Sequence, residues 1–353
     1  MKAVNHRQAA GVVAWSCPSN IAIVKYWGKK PGQIPMNPSL SMTLQKALTK
    51  TRVEYTHDSK IHHPEIKFRF EGKEATAFEQ RIATFIESLS SLLPFLAHTN
   101  LVILSSNTFP HSSGIASSAS AFGALAMCLV SLEETLGEPP EPSRRFIRAS
   151  TIARLGSGSA SRSIYPGFAL WGASGDWPGS SDEYAIPVSG FNETFKGVVD
   201  SILIVESGQK IVSSSKGHKS METNPFAQVR FQQARSNLLV LQRVLQEGDW
   251  KGFIDLLEEE ALSLHAMMLT GKPGYLLMLP GTISILNRVR RFREDTGTRL
   301  GFTLDAGANV HLLYAADDAP VVKEFIDMEL LQFCENKQVL HDSMGEGPVN
   351  LTS

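Results

Sequence analysis

The 353-residue chain has little cysteine: Cys17, Cys128 and Cys334 stand far apart, with no CxxC pair. That excludes a disulfide framework, and three free thiols suit a reducing compartment, so a cytoplasmic protein is expected. There is no excess of charge of either sign, with 34 Lys+Arg against 35 Asp+Glu. Nothing global therefore draws the chain to nucleic acid or an anionic membrane, and any grip on phosphate must come from a local site. Long apolar runs are missing too. Stretches such as "NLVIL" and "LLMLP" fall far below the roughly 20 residues that cross a bilayer, so no membrane span is expected. "GVVAW", behind Lys2 and Arg7, is too brief for a secretory core, and no small-residue cleavage site follows it. The chain has no internal repeat, no low-complexity tract and no G-x-x-x-x-G-K-[ST] loop.

At this length and 42% hydrophobic content, the chain can bury a sizeable core, and two domains are expected. The first part is strand-rich: "VVAWSC", "SNIAIV", "SLSMTL", "KTRVEYT" and "IKFRFEG" alternate or carry β-formers. Apolar spacings of three and four predict a helix over 75–93. "NLVILSSN" reads as a strand, followed by a helix to about Leu136. A further helix runs from Ser143, as N-cap, to Gly156, with "FALWG" as a strand after it. Near residue 190 the texture changes. "VDSILIVES" is a strand, "QKIVSSSKGHKSMETNP" a polar loop, and helices follow over Phe226–Gln246, Asp249–Met268 and Thr282–Asp295. "GFTLDAGANVHLLYA" brings two strands about a bend, before a helix near 320–330 and a last strand. The fold class expected is α+β, with domains at 1–190 and 191–353.

Four stretches could carry chemistry. In "PHSSGIASSAS" a run of small hydroxyl residues precedes an apolar helix. Helix-start N–H groups and a Gly/Ser bend can hold a phosphate, although a Ser-capped buried helix has the same wording. "GSGSASRS" places Arg162 in a second such turn; a guanidinium there can grip a carboxylate or phosphate, or lie merely on the surface. In "TLDAGANVHLL", Asp305 ends an extended run beside Gly307, as a base or as an ordinary turn residue. "NIAIVKYWGKK" offers Tyr26 and Trp27 between Lys25 and Lys29, for which surface lysines on a core strand are the plain explanation. His62 and His63 suggest a solvated loop and no metal, His265 a packed histidine, and "LEEEALSL" a solvated helix face.

Together the four stretches are more specific than any one. "PHSSGIASSAS" resembles the second motif of the GHMP small-molecule kinase superfamily, P-x-x-x-G-L-x-S-S-A. "NIAIVKYWGKK", "MNPSLSMTL", "ARLGSGSASRSIYPGF" and "DAGANVHLL" are similar to the diphosphomevalonate decarboxylases within it, over about residues 14 to 313. The resemblance implies a GHMP fold: an N-terminal domain like ribosomal protein S5 domain 2, a ferredoxin-like C-terminal domain, and a site in the cleft between them. It implies ATP and Mg2+ as cofactors, a phosphorylated mevalonate as small-molecule substrate, and a homodimer.

By the same resemblance, Pro110, Ser112, Ser113, Gly114, Ser117, Ser118 and Ser120 would wrap the ATP phosphates. Tyr26, Trp27, Gly28 and Lys29 would line the substrate pocket, with Arg81 and Ser215 toward its diphosphate. Ser157, Gly158, Ser159, Ala160, Ser161 and Arg162 would form the serine–arginine turn. Catalysis would fall to Asp305, Arg162 and Lys29; the metal ligands are not implied.

Three residues depart from the family pattern. Ala308 stands where Pro is usual, His218 where Met is usual, and Ser215 where some bacterial members have an Arg. The last leaves open how the terminal phosphate is held. Acting on the 5-monophosphate, stopping after 3-phosphorylation, or binding without catalysis are accordingly alternative readings.

Overall fold

The β-rich runs at the N-terminus join into two strands longer than any single run suggests. The computed structural model describes residues 9–110, 115–208 and 214–352. Its first elements are β1 (Ala9–Val24), the short hairpin strands β2 (Lys29–Lys30) and β3 (Ile34–Pro35), and β4 (Ser39–His57). There follow β5 (Ile66–Phe70), β6 (Lys73–Glu74), α1 (Thr76–Ser88), β7 (Thr99–Asn107), α2 (Ser117–Leu136) and α3 (Arg145–Gly156). β8 (Phe168–Trp171) and β9 (Ala185–Pro187) end this half. The rest comprises β10 (Val199–Leu203), α4 (Ser214–Ser220), α5 (Ala227–Glu247), α6 (Trp250–Leu269) and α7 (Pro280–Thr296). After these come β11 (Leu300–Leu304), β12 (Val310–Tyr314), α8 (Ala319–Phe325), β13 (Val339–Ser343) and β14 (Val349–Asn350).

β1 and β4 pair antiparallel along nearly their whole length, with bulges between Pro18 and Asn20 and between Ala22 and Val24. A bulge tolerates the amide that Pro18 lacks and bends the strand, so its end is turned toward the second half of the chain. The first sheet runs β14-β1-β4-β7-β5-β6, with β8 on the early half of β4 and β9 beyond it. The second sheet is antiparallel in the order β11-β12-β10-β13. With helices between β10 and β11 and α8 before β13, this is the βαββαβ order of a ferredoxin-like unit.

The last strand, β14, returns to pair with β1, so the chain ends on the first sheet. The Asp342 carboxylate on β13 accepts from the amides of Gln45, Lys46 and Ala47 on β4 at 2.8 to 2.9 Å, joining the two sheets.

α2 is long and apolar enough to cross a membrane by length and composition, yet it is a core helix packed between β1, β4 and α3, and the expectation of no membrane span is not contradicted. The structure corrects three expectations, the first at the start of α2. Its N-cap is Ala116, with no side-chain capping bond, so the reading of a Ser-capped helix does not hold. Nor does Ser143 cap α3; it lies in a 3-10 turn over Pro142–Arg144 that runs into the helix. The polar loop at 209–225 contains α4, a helix too short for periodicity to reveal.

Candidate active site

The site is built where β1 ends. Lys25 is buried, 2% exposed, and its Nζ lies 3.1 Å from Oδ1 of Asp305, in the turn between β11 and β12. The surface-lysine expectation is therefore wrong for Lys25. Burial lowers its pKa, and the Asp305 carboxylate acts against that shift. The Lys25 amide donates at 2.8 Å to Glu260 of α6. Glu260, fully buried, also accepts from Asn237 and takes both arms of the Arg230 guanidinium, so four donors fix its carboxylate. "LEEEALSL" is thus no solvated face: Glu258 is buried too, between Arg290 and Arg293. His265 is packed as expected, with Nε2 3.1 Å from the Asp305 carbonyl oxygen.

Beyond Lys25 the chain leaves the sheet, and Gly28 takes φ +98°, a conformation open to glycine and strained for other residues. Tyr26 stands edge-on to Trp171, their rings 4.8 Å apart, and burial raises its phenol pKa. Lys29 is half-buried, and its Nζ donates to Gln33 at 2.8 Å. Desolvation, then the proximity of Arg81, lowers the Lys29 pKa. Arg81 on α1 lies over the Phe122 ring.

The serine–arginine turn forms a 3-10 segment over Gly158–Ile164. Arg162 is buried, 2% exposed, so the reading of a surface arginine fails. Its Nη1 donates to Ser39 Oγ, its guanidinium lies over Trp171, and its Nε has no partner among the described residues. Burial brings its pKa down to about 10, while Tyr26 and Asp305 are close enough to act in the other direction. Ser157 and Ser118 hydrogen-bond at 3.3 Å, which ties this turn to the start of α2. Asn20, unremarked in the sequence, braces the turn through the Ser159 carbonyl and the Ser163 hydroxyl.

Ala160 and Ser161 are buried, with the Ser161 hydroxyl donating to the Gly158 carbonyl. Ser120 is sealed against Thr49. Ser112, Ser113 and Gly114 lie outside the described residues, and Ser215 has its backbone in α4. Pro110 precedes that gap, while Ser117 and Ser118 open α2, whose first N–H groups have no side-chain cap. Helix-start N–H groups without a side-chain cap, beside hydroxyls, suit a phosphate.

No group of three or more His, Cys, Asp or Glu able to hold a metal occurs among the described residues.

A serine-rich helix start, a buried arginine and a buried Lys–Asp pair meet where the two sheets join, which is the arrangement of a GHMP-type fold. The chain belongs to the diphosphomevalonate decarboxylase family. The family's N-terminal domain model ("Diphosphomevalonate decarboxylase-like N-terminal domain") matches residues 17–185, and "Mevalonate 5-diphosphate decarboxylase C-terminal domain" matches 201–350. The diphosphomevalonate decarboxylase of Gibberella zeae is 30% identical over 323 residues, which are 87% of this chain and 82% of that protein. The human enzyme is 29% identical over 342 residues, 89% and 78% of the two chains. Among solved structures, mevalonate diphosphate decarboxylase from Staphylococcus aureus has a TM-score of 0.83 at 28% identity, covering 97% of this chain and 98% of that one. MDDEF in complex with MVAPP, AMPPCP and magnesium has a TM-score of 0.83 at 28% identity, covering 98% and 100%.

Proposed function

We propose that the chain catalyses the ATP-dependent decarboxylation of mevalonate 5-diphosphate to isopentenyl diphosphate, ADP, phosphate and CO2. The observation that carries the reading is the convergence on one place of Asp305, held by Lys25, and of the sealed Arg162. A 3-hydroxy acid loses CO2 poorly because hydroxide is a poor leaving group. ATP with Mg2+ supplies the γ-phosphoryl that makes the tertiary oxygen a good one. Asp305 accepts the proton of the 3-hydroxyl as it attacks, and Lys25 fixes the carboxylate for that transfer. Arg162 binds the substrate carboxylate, so that the C–C bond that breaks is held opposite the departing oxygen. Lys29 offsets charge on the transferred group, and the start of α2, with Ser117 and Ser118, holds the phosphates. Arg81 and α4 face the 5-diphosphate.

Asp305→Asn tests the central role. Nucleotide affinity should stay within about two-fold while kcat falls by roughly 10²–10⁴, the usual size of a general-base contribution; a near-normal kcat removes Asp305 from the role. The reading takes residues 1–190 as the nucleotide domain and 191–353 as its partner, in a cytoplasmic homodimer, on the strength of the family resemblance. Sedimentation at micromolar protein should give twice the chain mass, and a monomer mass counts against the dimer.

A further inference from the structure

One side chain at the centre of this arrangement has no role in the reaction as described: His218 on α4. Its ring packs against two aromatic rings of the β1 exit, with centroids 4.4 Å from Tyr26 and 4.6 Å from Trp27. Its Nδ1 accepts the Gly28 N–H at 3.0 Å. Burial, and then the nearby Lys29 ammonium, pushes its pKa down to about 3. The imidazole is thus neutral near pH 7, and with Nδ1 engaged as acceptor its one proton sits on Nε2.

Nothing among the described residues accepts from Nε2, and Nε2 is not one of the sealed polar atoms that lack a partner. The other edge of the ring therefore keeps a free N–H donor at a position 7% exposed. The charged group beside it is the Lys29 ammonium, and Arg81 in turn lies near Lys29. Lys29 bonds Gln33, Arg81 lies over Phe122, and neither has a carboxylate partner among the described residues. An unused donor beside an unneutralised ammonium, with a second cation near that ammonium, calls for an anion with several acceptor oxygens.

We propose that His218 is a substrate-binding residue whose Nε2–H donates to a phosphate oxygen of the phosphorylated substrate, beside Lys29. The inference rests on the functional reading above and names a contact within that site. A neutral donor of this kind binds the phosphate equally across the physiological pH range. Protonation would have to occur on Nδ1, and so would break the bond from Gly28.

Two variants separate this role from a purely structural one. His218→Asn places an amide oxygen near the Nδ1 position, keeping the acceptor for Gly28 and losing the outward donor. His218→Gln reaches the Nε2 position and restores a donor while losing that acceptor. Initial rates are measured with mevalonate 5-diphosphate and ATP varied separately at pH 6 and pH 8, with thermal unfolding in parallel. The Asn variant should raise KM for the diphosphate about ten-fold, as for loss of one hydrogen bond to a charged group, with KM for ATP unchanged. Gln should recover most of that loss, and the Asn-to-wild-type KM ratio should be the same at both pH values. A diphosphate KM in Asn equal to wild type overturns the contact, as does a Gln variant weaker than Asn.

Should either variant unfold early, 15N-histidine-labelled wild type decides. The Nε2–H resonance of His218 should move on adding the diphosphate and stay in place on adding ATP; a resonance indifferent to the diphosphate overturns the contact. Wild type that turns over no mevalonate derivative overturns the functional reading itself. Turnover of the diphosphate with an unaffected Asn variant overturns only the His218 contact.

Discussion

At Lys25 an ammonium lies sealed from water, which is tolerable only with a carboxylate at hydrogen-bond distance. Lys25→Met keeps the length of the side chain and removes the charge, so Asp305 loses the group that orients it. We expect kcat to fall at least about 100-fold, the scale of a misplaced general base, with nucleotide affinity nearly unchanged. Single-turnover rates alongside nucleotide titrations measure both, and a loss of kcat below three-fold counts against the orienting role.

Asp305 and Arg162 were legible because their motifs carry them in short, recognisable wording. Lys25 and Glu260 were not. Their partners are 280 and 235 positions away, and a lysine or a Glu-rich run is written the same whether solvated or buried. The serine run was legible as a helix start, but which hydroxyls face outward was decided by α2 docking on β4, which turns Ser120 onto Thr49.

At the scale of elements, α4 closes over the β1 exit because Gly217 has no side chain. A Cβ there would overlap the Trp27 indole. Gly217→Ala should therefore lift α4 from Trp27 and weaken binding of the phosphorylated substrate several-fold, leaving the ATP site unaffected. Unchanged KM for that substrate would show that α4 docks by other contacts.

The helices α5 and α6 are joined to β1 through Glu260 and Arg230. Glu260→Ala strands the Arg230 charge in the core, and the denaturant midpoint should drop by the equivalent of about 3–5 kcal/mol. Periodicity located α5, α6 and α7 from their apolar stripes. It split β1 and β4 into shorter strands, because bulges and the polar residues inside β1 interrupt an alternation that the backbone pairing continues through.

The whole molecule holds its two sheets together through Asp342 and the returning β14. Neither was foreseeable, since a terminal strand carries no mark of the sheet it joins. Stability should depend on pH through His265, buried on α6 against the Asp305 turn. Burial pushes the pKa of His265 down to about 4, below the ~6.5 of an exposed imidazole, so the unfolded chain binds more protons between those values. Stability is accordingly complete above about pH 6.5 and is lost as pH falls toward 4, by about 2 kcal/mol from this group at pH 5. Melting curves from pH 7 to 5 should show the decline, and His265→Gln should flatten it; an equal slope in the variant would place the titrating group elsewhere.

The proposed reaction requires that phosphorylation of the substrate and loss of its carboxylate occur at one site in one turnover. The direct measurement is the amount of CO2 released per ADP formed with mevalonate 5-diphosphate. One CO2 for each ADP, with no turnover of unphosphorylated mevalonate, is the predicted result. ADP accumulating without CO2 would contradict it, and would leave the buried Arg162 and the Lys25–Asp305 pair serving a kinase.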